Sequence, residues 1–351
     1  MDQEYTERLQ KIETVLEYWL PQEPDSDWAE KVFGNIGKKV SKEAQKMLLA
    51  PSRELAFRGG KRWRPLLMSL VCETLGGGDK SIPLSPILEY SHNASLIHDD
   101  IEDGSDERRG KPAIHKMFGD DIAINSGSFL YFLALSCIEN CVSNEPRQFN
   151  KELILKQWAE CIRRLHLGQS MDISWHRDIT YVPEIDDYYV MCALKTGSLA
   201  RLAVELGAIA AGAPQEVIKL LGDAADSMGI GFQILDDVKN LTTGVYGKKR
   251  GDDIVEGKKS LPILLFLNKY PDKRNQVFYC FSEAKMSGST APEVEDLIDL
   301  LSDSDVFEKA EEKGKSFLKE TKDIFNSSEF ASYTINENGR VLLDGLLKMI
   351  S

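Results

Sequence analysis

Apolar residues in this chain form long stretches, and they rarely alternate one by one with polar residues. The clearest stretches cover residues 66–71, 122–138, 200–211 and 261–267. Sustained alternation marks a half-buried strand, so its absence predicts helices nearly everywhere. The breaks between stretches are short and contain glycine or proline, which favours an all-α bundle. We expect this bundle to form one domain over residues 1–351.

The net charge of the chain indicates which classes of molecule it can be expected to bind. The formal net charge is −13, with 42% hydrophobic and 28% charged residues, as in an ordinary globular protein. A nucleic-acid binder would show a basic stripe, so we expect no nucleic-acid partner. Anionic substrates stay compatible with this charge, because local Lys and Arg clusters or bound cations override the global sign.

The N-terminus and the cysteines bear on location. The chain begins with early acidic residues and no apolar signal-peptide core, and it has no run of about 18 apolar residues. Its six cysteines form no CxxC pair. We therefore expect a cytoplasmic protein with reduced thiols and no transmembrane segment.

A first group of acids follows an apolar run at residues 94–97, in the segment LIHDDIEDG. On a helix, Asp99 and Asp103 are neighbours at i and i+4, and His92 lies two turns earlier on the same face. Like charges on one face suit a hard cation such as Mg²⁺, which combines one or two carboxylates with water and phosphates. The alternative is a solvated acidic helix end, but the preceding apolar run places this segment near the interior.

A second group of acids lies in the segment GFQILDDVKN. Gln233, Asp237 and Asn240 follow one helix face at i, i+4 and i+7, and Asp236 lies beside them. Two aspartate groups predict a cavity with carboxylates on opposing walls, where several Mg²⁺ ions hold one diphosphate. Asn240 offers an amide oxygen but no charge.

Basic residues accompany both acidic groups. They are Lys61, Arg64, Arg108, Arg109, Lys195, Lys248 and Lys258. Lys61 and Arg64 open a helix and suit a second anion, because Arg is a bidentate fork and Lys a point charge. Each residue alone is also compatible with a surface charge, and their combination with the acidic groups favours anion binding.

Competing motifs fail in this chain. The segment GKKS at residues 257–260 resembles the end of a phosphate-binding Walker A loop, but Asp252 occupies the position of its upstream glycine. No HExxH pattern occurs. His98 and Asp99 could belong to a metal phosphohydrolase of the HD type, but that would leave the basic residues and the second acidic group unexplained.

Taken together, the motifs resemble the trans-isoprenyl diphosphate synthase family. GGKRWRP (59–65), DDIED (99–103), RRG (108–110), GQ (168–169), KTG (195–197) and FQILDD (232–237) occur in the family's order over residues 59–265. DDVKNL at 236–241 is similar to the DDYxNL of eukaryotic geranylgeranyl diphosphate synthases, with Val238 in place of the tyrosine.

The resemblance implies a fold, partners and residue roles. The fold is an isoprenoid synthase-type all-α bundle around a deep central cavity, usually in a homodimer. Asp99, Asp103 and Asp236 would ligate Mg²⁺, with Asp100 and Asp237 beside them. The residues that would hold isopentenyl diphosphate are Lys61, Arg64, His92 and Arg109. The residues that would surround the allylic diphosphate are Arg108, Lys195, Thr196, Gln233, Asn240, Lys248 and Lys258.

The implied reaction joins isopentenyl diphosphate to dimethylallyl, geranyl or farnesyl diphosphate in isoprenoid biosynthesis. Metal ions and cationic side chains neutralise the leaving diphosphate, and dipoles such as Thr196 and Gln233 line the pocket of the allylic cation. A class I terpene cyclase shares the DDxxD pattern but needs no second anion site. A non-catalytic partner subunit would not need both acidic groups.

Product length depends on residues before the first acidic group. With the allylic head at Asp99, the tail should run back toward Ser95, Ala94 and Ser91, and one isoprene unit matches one helical turn of about 5 Å. The resemblance implies that bulky aromatics here give farnesyl products, so small residues predict geranylgeranyl diphosphate. Phe129 or Phe132 could form a deeper floor. Alternatively, the small residues serve close helix packing, or the product is farnesyl or longer.

Overall fold

The computed structural model describes residues 3–38, 40–144, 150–244 and 249–350 and confirms the predicted all-α class. Within these ranges the strands are β1 (Glu107–Arg108) and β2 (Lys111–Pro112), which pair as an antiparallel hairpin. The first helices are α1 (Gln3–Trp19), α2 (Ser26–Phe33), α3 (Lys42–Ala56), α4 (Trp63–Thr74), α5 (Ser85–Glu102), α6 (Ile114–Phe118), α7 (Asp120–Asn144), α8 (Lys151–Arg177) and α9 (Ile185–Cys192).

The later helices complete the described part of the chain. They are α10 (Ser198–Ala211), α11 (Gln215–Thr242), α12 (Asp252–Glu256), α13 (Leu261–Lys269), α14 (Arg274–Ser287), α15 (Pro292–Ser302), α16 (Val306–Phe325), α17 (Ser328–Tyr333) and α18 (Glu337–Ile350). Short 3₁₀ turns cover Gly78–Leu84 and Pro271–Lys273. A π-helical turn covers Ala193–Gly197, where the sequence predicted ordinary helix.

The chain groups into two compact units. The first unit contains Met1–Ile162, Arg201–Gly222 and Phe325–Ile350, and the second contains Arg163–Ala200 and Asp223–Ile324. The expectation of one domain over the whole chain stays a prediction.

The first unit has its core on α4 and α5. α4 is buried along most of its length and packs against α18, and α5 packs against α7. The α5–α7 crossing depends on Gly127, because a Cβ there would lie 2.8 Å from Nε2 of His98 and 3.2 Å from Ile97. The tight crossing fixes the helix that carries the first aspartates.

The second unit has two apolar clusters. One is built around Phe266, Phe281 and Leu297. The other surrounds Tyr188 and Ile234 and thereby packs α9 against the face of α11 opposite the solvent. Burying apolar side chains on this scale is the main stabilising contribution to such a core.

The cysteines match the expectation of reduced, buried thiols as far as they are described. Five are free and buried, namely Cys72, Cys137, Cys161, Cys192 and Cys280. The side chain of Cys141 lies outside the described residues.

One helix in the described part of the chain meets the length and composition of a membrane span. It covers Asp120–Glu139 within α7, and 56% of the tested stretch is buried inside the structure. Core helices of globular proteins pass the same test, so the helix is weak evidence for a span. The expected lack of a transmembrane segment stays a prediction.

Candidate active site

The first aspartate group lies at the C-terminal end of α5. The amide of Asp103 donates to the carbonyl of Asp99 at 2.8 Å, so the helical register that aligns these two residues persists to the end. The Asp100 side chain is completely buried, whereas that of Asp99 is 17% exposed. Arg108 donates from Nε to Oδ1 of Asp100 at 2.7 Å and from Nη2 to Oδ2 of Asp99 at 3.2 Å. One guanidinium therefore holds both carboxylates.

Arg108 lies on β1, and Arg58 connects the two strands of this hairpin. Nη1 of Arg58 donates to the carbonyls of Arg108 at 3.0 Å and Pro112 at 2.8 Å, one on each strand. Sequence reasoning missed Arg58, because nothing in its local spacing connects it with a hairpin 50 residues later.

The carboxylates of this group fit Mg²⁺. Burial raises the pKa of Asp100, and the charge and hydrogen bond of Arg108 oppose that shift. Oδ2 of Asp100 is buried without a hydrogen-bond partner. Among the described residues, no three His, Cys, Asp or Glu side chains converge on one point. The accessible carboxylate of Asp99 and the unpartnered oxygen of Asp100 suit a hard cation that takes one or two carboxylates and completes its shell with water and phosphate oxygens.

Three basic side chains of the first unit share one region. Burial lowers the pKa of Arg64 to about 10; Glu89 opposes this shift and the charge of Arg109 adds to it. Burial also lowers the pKa of His92 well below its ordinary value, with added repulsion from Arg64 and Arg109, so the imidazole is neutral at pH 7. Nε of Arg64 is buried without a hydrogen-bond partner. Cations held together in this way favour a bound anion.

Neighbouring residues keep this basic group in place. Arg62 has a left-handed backbone with φ of 47°. Its buried guanidinium donates to Glu13 at 2.7 Å and to Glu89 at 2.9 Å. Nη1 of Arg109 donates to the carbonyl of Gly59 at 2.9 Å. Arg62 is thus a brace that sequence reasoning did not single out, whereas Lys61 beside it is exposed.

The second aspartate group lies on α11. Asp236 is exposed and Asp237 is buried. Asp237 accepts hydrogen bonds at its two oxygens from the hydroxyl of Tyr188 and from Nε2 of Gln233, both at 2.7 Å. The hydroxyl of Thr196 donates to Oε1 of Gln233 at 2.6 Å. The spacing placed Gln233 and Asp237 on one helix face but did not predict the bond between them, and it gave no sign of Tyr188.

Burial raises the pKa of Asp237 to about 8, and the charge of Asp253 adds to the shift. The hydrogen bonds from Tyr188 and Gln233 act in the opposite direction. Burial and the charge of Asp237 raise the pKa of Tyr188 well above 10. The phenol therefore keeps its proton and remains a donor.

Glycines allow the elements around the π-helical turn to approach closely. A Cβ at Gly229 would collide with the backbone of Gly197, and one at Gly168 would collide with the amide of Lys195. Nζ of Lys195 donates to Oδ2 of the buried Asp172 at 2.6 Å. A π turn inserts one residue into a helix and is frequent at functional sites.

The remaining residues predicted to bind the allylic diphosphate differ in their contacts and exposure. Lys258 pairs with Glu256 at 2.5 Å. Asn240 is 2% exposed, and its Oδ1 accepts from the amide of Asp253 at 3.2 Å, which does not favour contact with a diphosphate. Lys248 lies outside the described residues.

The residues on α5 that were predicted to set product length differ in their exposure to solvent. Ala94 and Ser91 are fully buried, whereas Ser95 is partly exposed. Nε1 of Trp158 donates to Oγ of Ser91 at 3.2 Å, which places a large ring one turn beyond Ser95. Sequence reasoning missed Trp158, which lies 67 residues from Ser91.

The two phenylalanines suggested as a deeper floor lie on α7. Phe132 is 63% exposed. Phe129 stacks against Phe33 of α2 with ring centroids 5.9 Å apart. Neither position favours the floor of an enclosed pocket, and Trp158 is better placed.

Comparison with known proteins agrees with this architecture. The polyprenyl synthetase family model matches residues 45–301. A geranylfarnesyl diphosphate synthase from Aeropyrum pernix is 30% identical over 86% of this chain and 94% of its own length. A geranylgeranyl pyrophosphate synthase from Neocamarosporium betae is 34% identical over 65% of this chain and 64% of its own. The solved geranylgeranyl pyrophosphate synthetase from Pyrococcus horikoshii superimposes with a TM-score of 0.79 at 26% identity, covering 99% of this chain and 96% of that one. The resemblance seen in the motifs is confirmed: this chain belongs to the polyprenyl synthetase family.

Proposed function

We propose that this protein is a trans-prenyl diphosphate synthase that condenses isopentenyl diphosphate with an allylic diphosphate and makes mainly geranylgeranyl diphosphate. The observation that carries the proposal is the basic group of Arg64, Arg109 and neutral His92 in the same unit as the Arg108-braced aspartates. A synthase of this kind needs one anion site beside a metal-binding acidic pair, because it binds two diphosphates.

Mg²⁺ fits the proposed reaction, and the family is generally magnesium-dependent. In the first unit Asp99 and Asp103, and in the second unit Asp236, are the proposed Mg²⁺ ligands, and bound ions would neutralise a departing diphosphate. Arg108 keeps Asp99 and Asp100 oriented before substrate arrives. Preorganised groups of this kind cost little reorganisation during the reaction.

The chain's own residues would divide the two substrates between them. Arg64 and Arg109 bind the diphosphate of isopentenyl diphosphate, with Lys61 and a hydrogen bond from His92 in support. In the second unit, Lys195 and Lys258 are the proposed cationic ligands of the allylic diphosphate, and Arg108 is the proposed one in the first unit. The hydroxyl of Thr196 donates a hydrogen bond to Oε1 of Gln233, so the lone pairs of the hydroxyl oxygen remain to stabilise an allylic cation. We propose that the released diphosphate takes the proton lost on coupling, and that the enzyme is a homodimer.

The small residues on α5 support a twenty-carbon product. A barrier at Ala94 or Ser95 would stop growth at farnesyl, and Trp158 at Ser91 lies one helical turn farther, about 5 Å or one isoprene unit. The named relatives include both geranylgeranyl and geranylfarnesyl synthases. The longer product is therefore the main alternative.

Binding of isopentenyl diphosphate without metal separates a synthase from a class I cyclase. Titration calorimetry in EDTA should show one site on the wild-type protein, weakened at least tenfold in Arg64→Ala, while Lys116→Ala on the exposed end of α6 serves as control. An undetectable or Arg64-independent site would contradict the proposal.

A further inference from the structure

Tyr188 is a buried phenol whose hydroxyl lies between the carboxylate of Asp237 and the thiol of Cys192. Its side chain is 1% exposed within an apolar cluster of the second unit. A phenylalanine would fill the same space without a polar group to desolvate. The hydroxyl instead donates to Oδ2 of Asp237 at 2.7 Å. The bond, and not the packing, is what distinguishes tyrosine at this position.

The second oxygen of Asp237 is also occupied. Nε2 of Gln233, one turn earlier on α11, donates to Oδ1 at 2.7 Å. With protein donors on both oxygens, the carboxylate has one preferred orientation. Asp236, which precedes it, is exposed and free of this restraint. The buried carboxylate is therefore an anchor beside the residue proposed as a metal ligand.

The orientation of Asp237 determines that of Gln233. Because Nε2 donates to the carboxylate, Oε1 points the other way and accepts from the hydroxyl of Thr196 at 2.6 Å. A continuous chain of donors and acceptors thus joins α9, α11 and the π-helical turn. It begins at Tyr188 and ends at Thr196.

We propose that Tyr188 is a positioning residue for the allylic site, which orients Gln233 and Thr196 by fixing the carboxylate of Asp237. The inference rests on the proposed function, in which Gln233 and Thr196 line the allylic pocket. Without the hydroxyl, the side chain of Asp237 can rotate more freely. The amide of Gln233 is then no longer held in one orientation by its bond to Asp237. The hydrogen bonds of this chain include none of the residues assigned to isopentenyl diphosphate, which are Lys61, Arg64, His92 and Arg109.

The decisive variant is Tyr188→Phe, which removes only the oxygen. Its matched control is Tyr189→Phe, because Tyr189 is the next residue and its ring packs on Phe317 at 5.2 Å. In steady-state assays with Mg²⁺, Tyr188→Phe should lower kcat/KM for the allylic substrate about tenfold to hundredfold, the usual loss when a group that supports a metal site is removed. KM for isopentenyl diphosphate should stay within about twofold of wild type, as should all constants of Tyr189→Phe. Equal effects on both substrates, or none, would overturn the proposal.

A double-mutant cycle with Thr196→Val tests the chain from its other end. If Tyr188 acts through Asp237 and Gln233, the double variant should lose clearly less than the product of the two single losses. Multiplicative losses would show independent action and overturn the proposal.

Circular dichroism and thermal melting check that each variant is folded. Wild type and Tyr189→Phe are assayed in parallel. If neither consumes the allylic substrate, the proposed function fails, whereas an active wild type with an unimpaired Tyr188→Phe refutes only the positioning role.

Discussion

In the first aspartate pair a charged side chain holds the buried carboxylate, whereas in the second pair neutral side chains hold it. Both pairs have the same layout, since Asp100 and Asp237 point inward while Asp99 and Asp236 are more accessible. Arg108 reaches both carboxylates of the first pair. In both places the sequence DD therefore gives one buried carboxylate preceded by a more accessible one, which is the proposed metal ligand.

The different partners have electrostatic consequences. The Arg108 guanidinium opposes the effect of burial on the pKa of Asp100. Tyr188 and Gln233 bring no charge, and burial raises the pKa of Asp237 to about 8. A charged brace preserves a negative carboxylate, whereas a neutral brace mainly fixes its direction.

Loss of an outward aspartate should have the largest effect. Asp99→Ala should reduce kcat about a thousandfold or more, because it removes a ligand of the metal ions that neutralise the leaving group and so contribute several kcal/mol to the transition state. Asp106→Ala, at an exposed residue just before β1, is the control and should stay near wild type. Rates are measured in saturating Mg²⁺ on folded protein. Near-normal turnover of Asp99→Ala would remove the metal assignment.

Substitutions in the two regions should affect the KM values of different substrates. Arg64→Ala should raise KM for isopentenyl diphosphate about tenfold to hundredfold, since it removes a charge-assisted contact, and should spare the allylic KM. Lys195→Ala should do the reverse. Both constants are measured for both variants, and a rise in the same KM for the two would contradict the division.

Stability tests the contrast between the two braces. Asp100→Asn should lower the free energy of unfolding by about 2–3 kcal/mol, because it leaves Arg108 with an incomplete charge partner. Asp237→Asn should cost about 1 kcal/mol, because neutral amides and hydroxyls can exchange donor and acceptor roles. Urea unfolding without Mg²⁺ gives both values. Equal losses would show that the charge of the brace does not matter.

Substitutions along the proposed path of the growing chain should change the reaction rate least, while they change the length of the product. Ser95→Phe and Ala94→Phe should shift the product toward farnesyl diphosphate while condensation continues, and Trp158→Ala should lengthen it by removing the ring beyond Ser91. Chain length is read by chromatography of the dephosphorylated products. Unchanged products in active variants would remove the assignment of product length to α5.

Much of the fold and site followed from local sequence patterns. The helical class follows from apolar stretches, and the spacing of Gln233 and Asp237 predicted their shared helix face, on which the structure shows a hydrogen bond between them. The spacing of Asp99 and Asp103 likewise placed both on one face of α5.

Partners distant in the chain could not be predicted in this way. Tyr188 lies 49 residues from Asp237, and Trp158 lies 67 from Ser91. These contacts depend on how helices pack, which periodicity does not encode. The same reason explains why the sequence suggested Phe132 as a pocket floor although its side chain is exposed. Its helix was predicted correctly, but the direction of the side chain was not.

The most direct test of the proposed activity is condensation by the purified protein alone. Labelled isopentenyl diphosphate is incubated with dimethylallyl, geranyl or farnesyl diphosphate in Mg²⁺, and the chain length of the product is determined. We predict label in geranylgeranyl diphosphate with every accepted starter, and none when EDTA replaces the metal. No incorporation of label with any starter, by folded protein in Mg²⁺, would contradict the assignment as a prenyl diphosphate synthase.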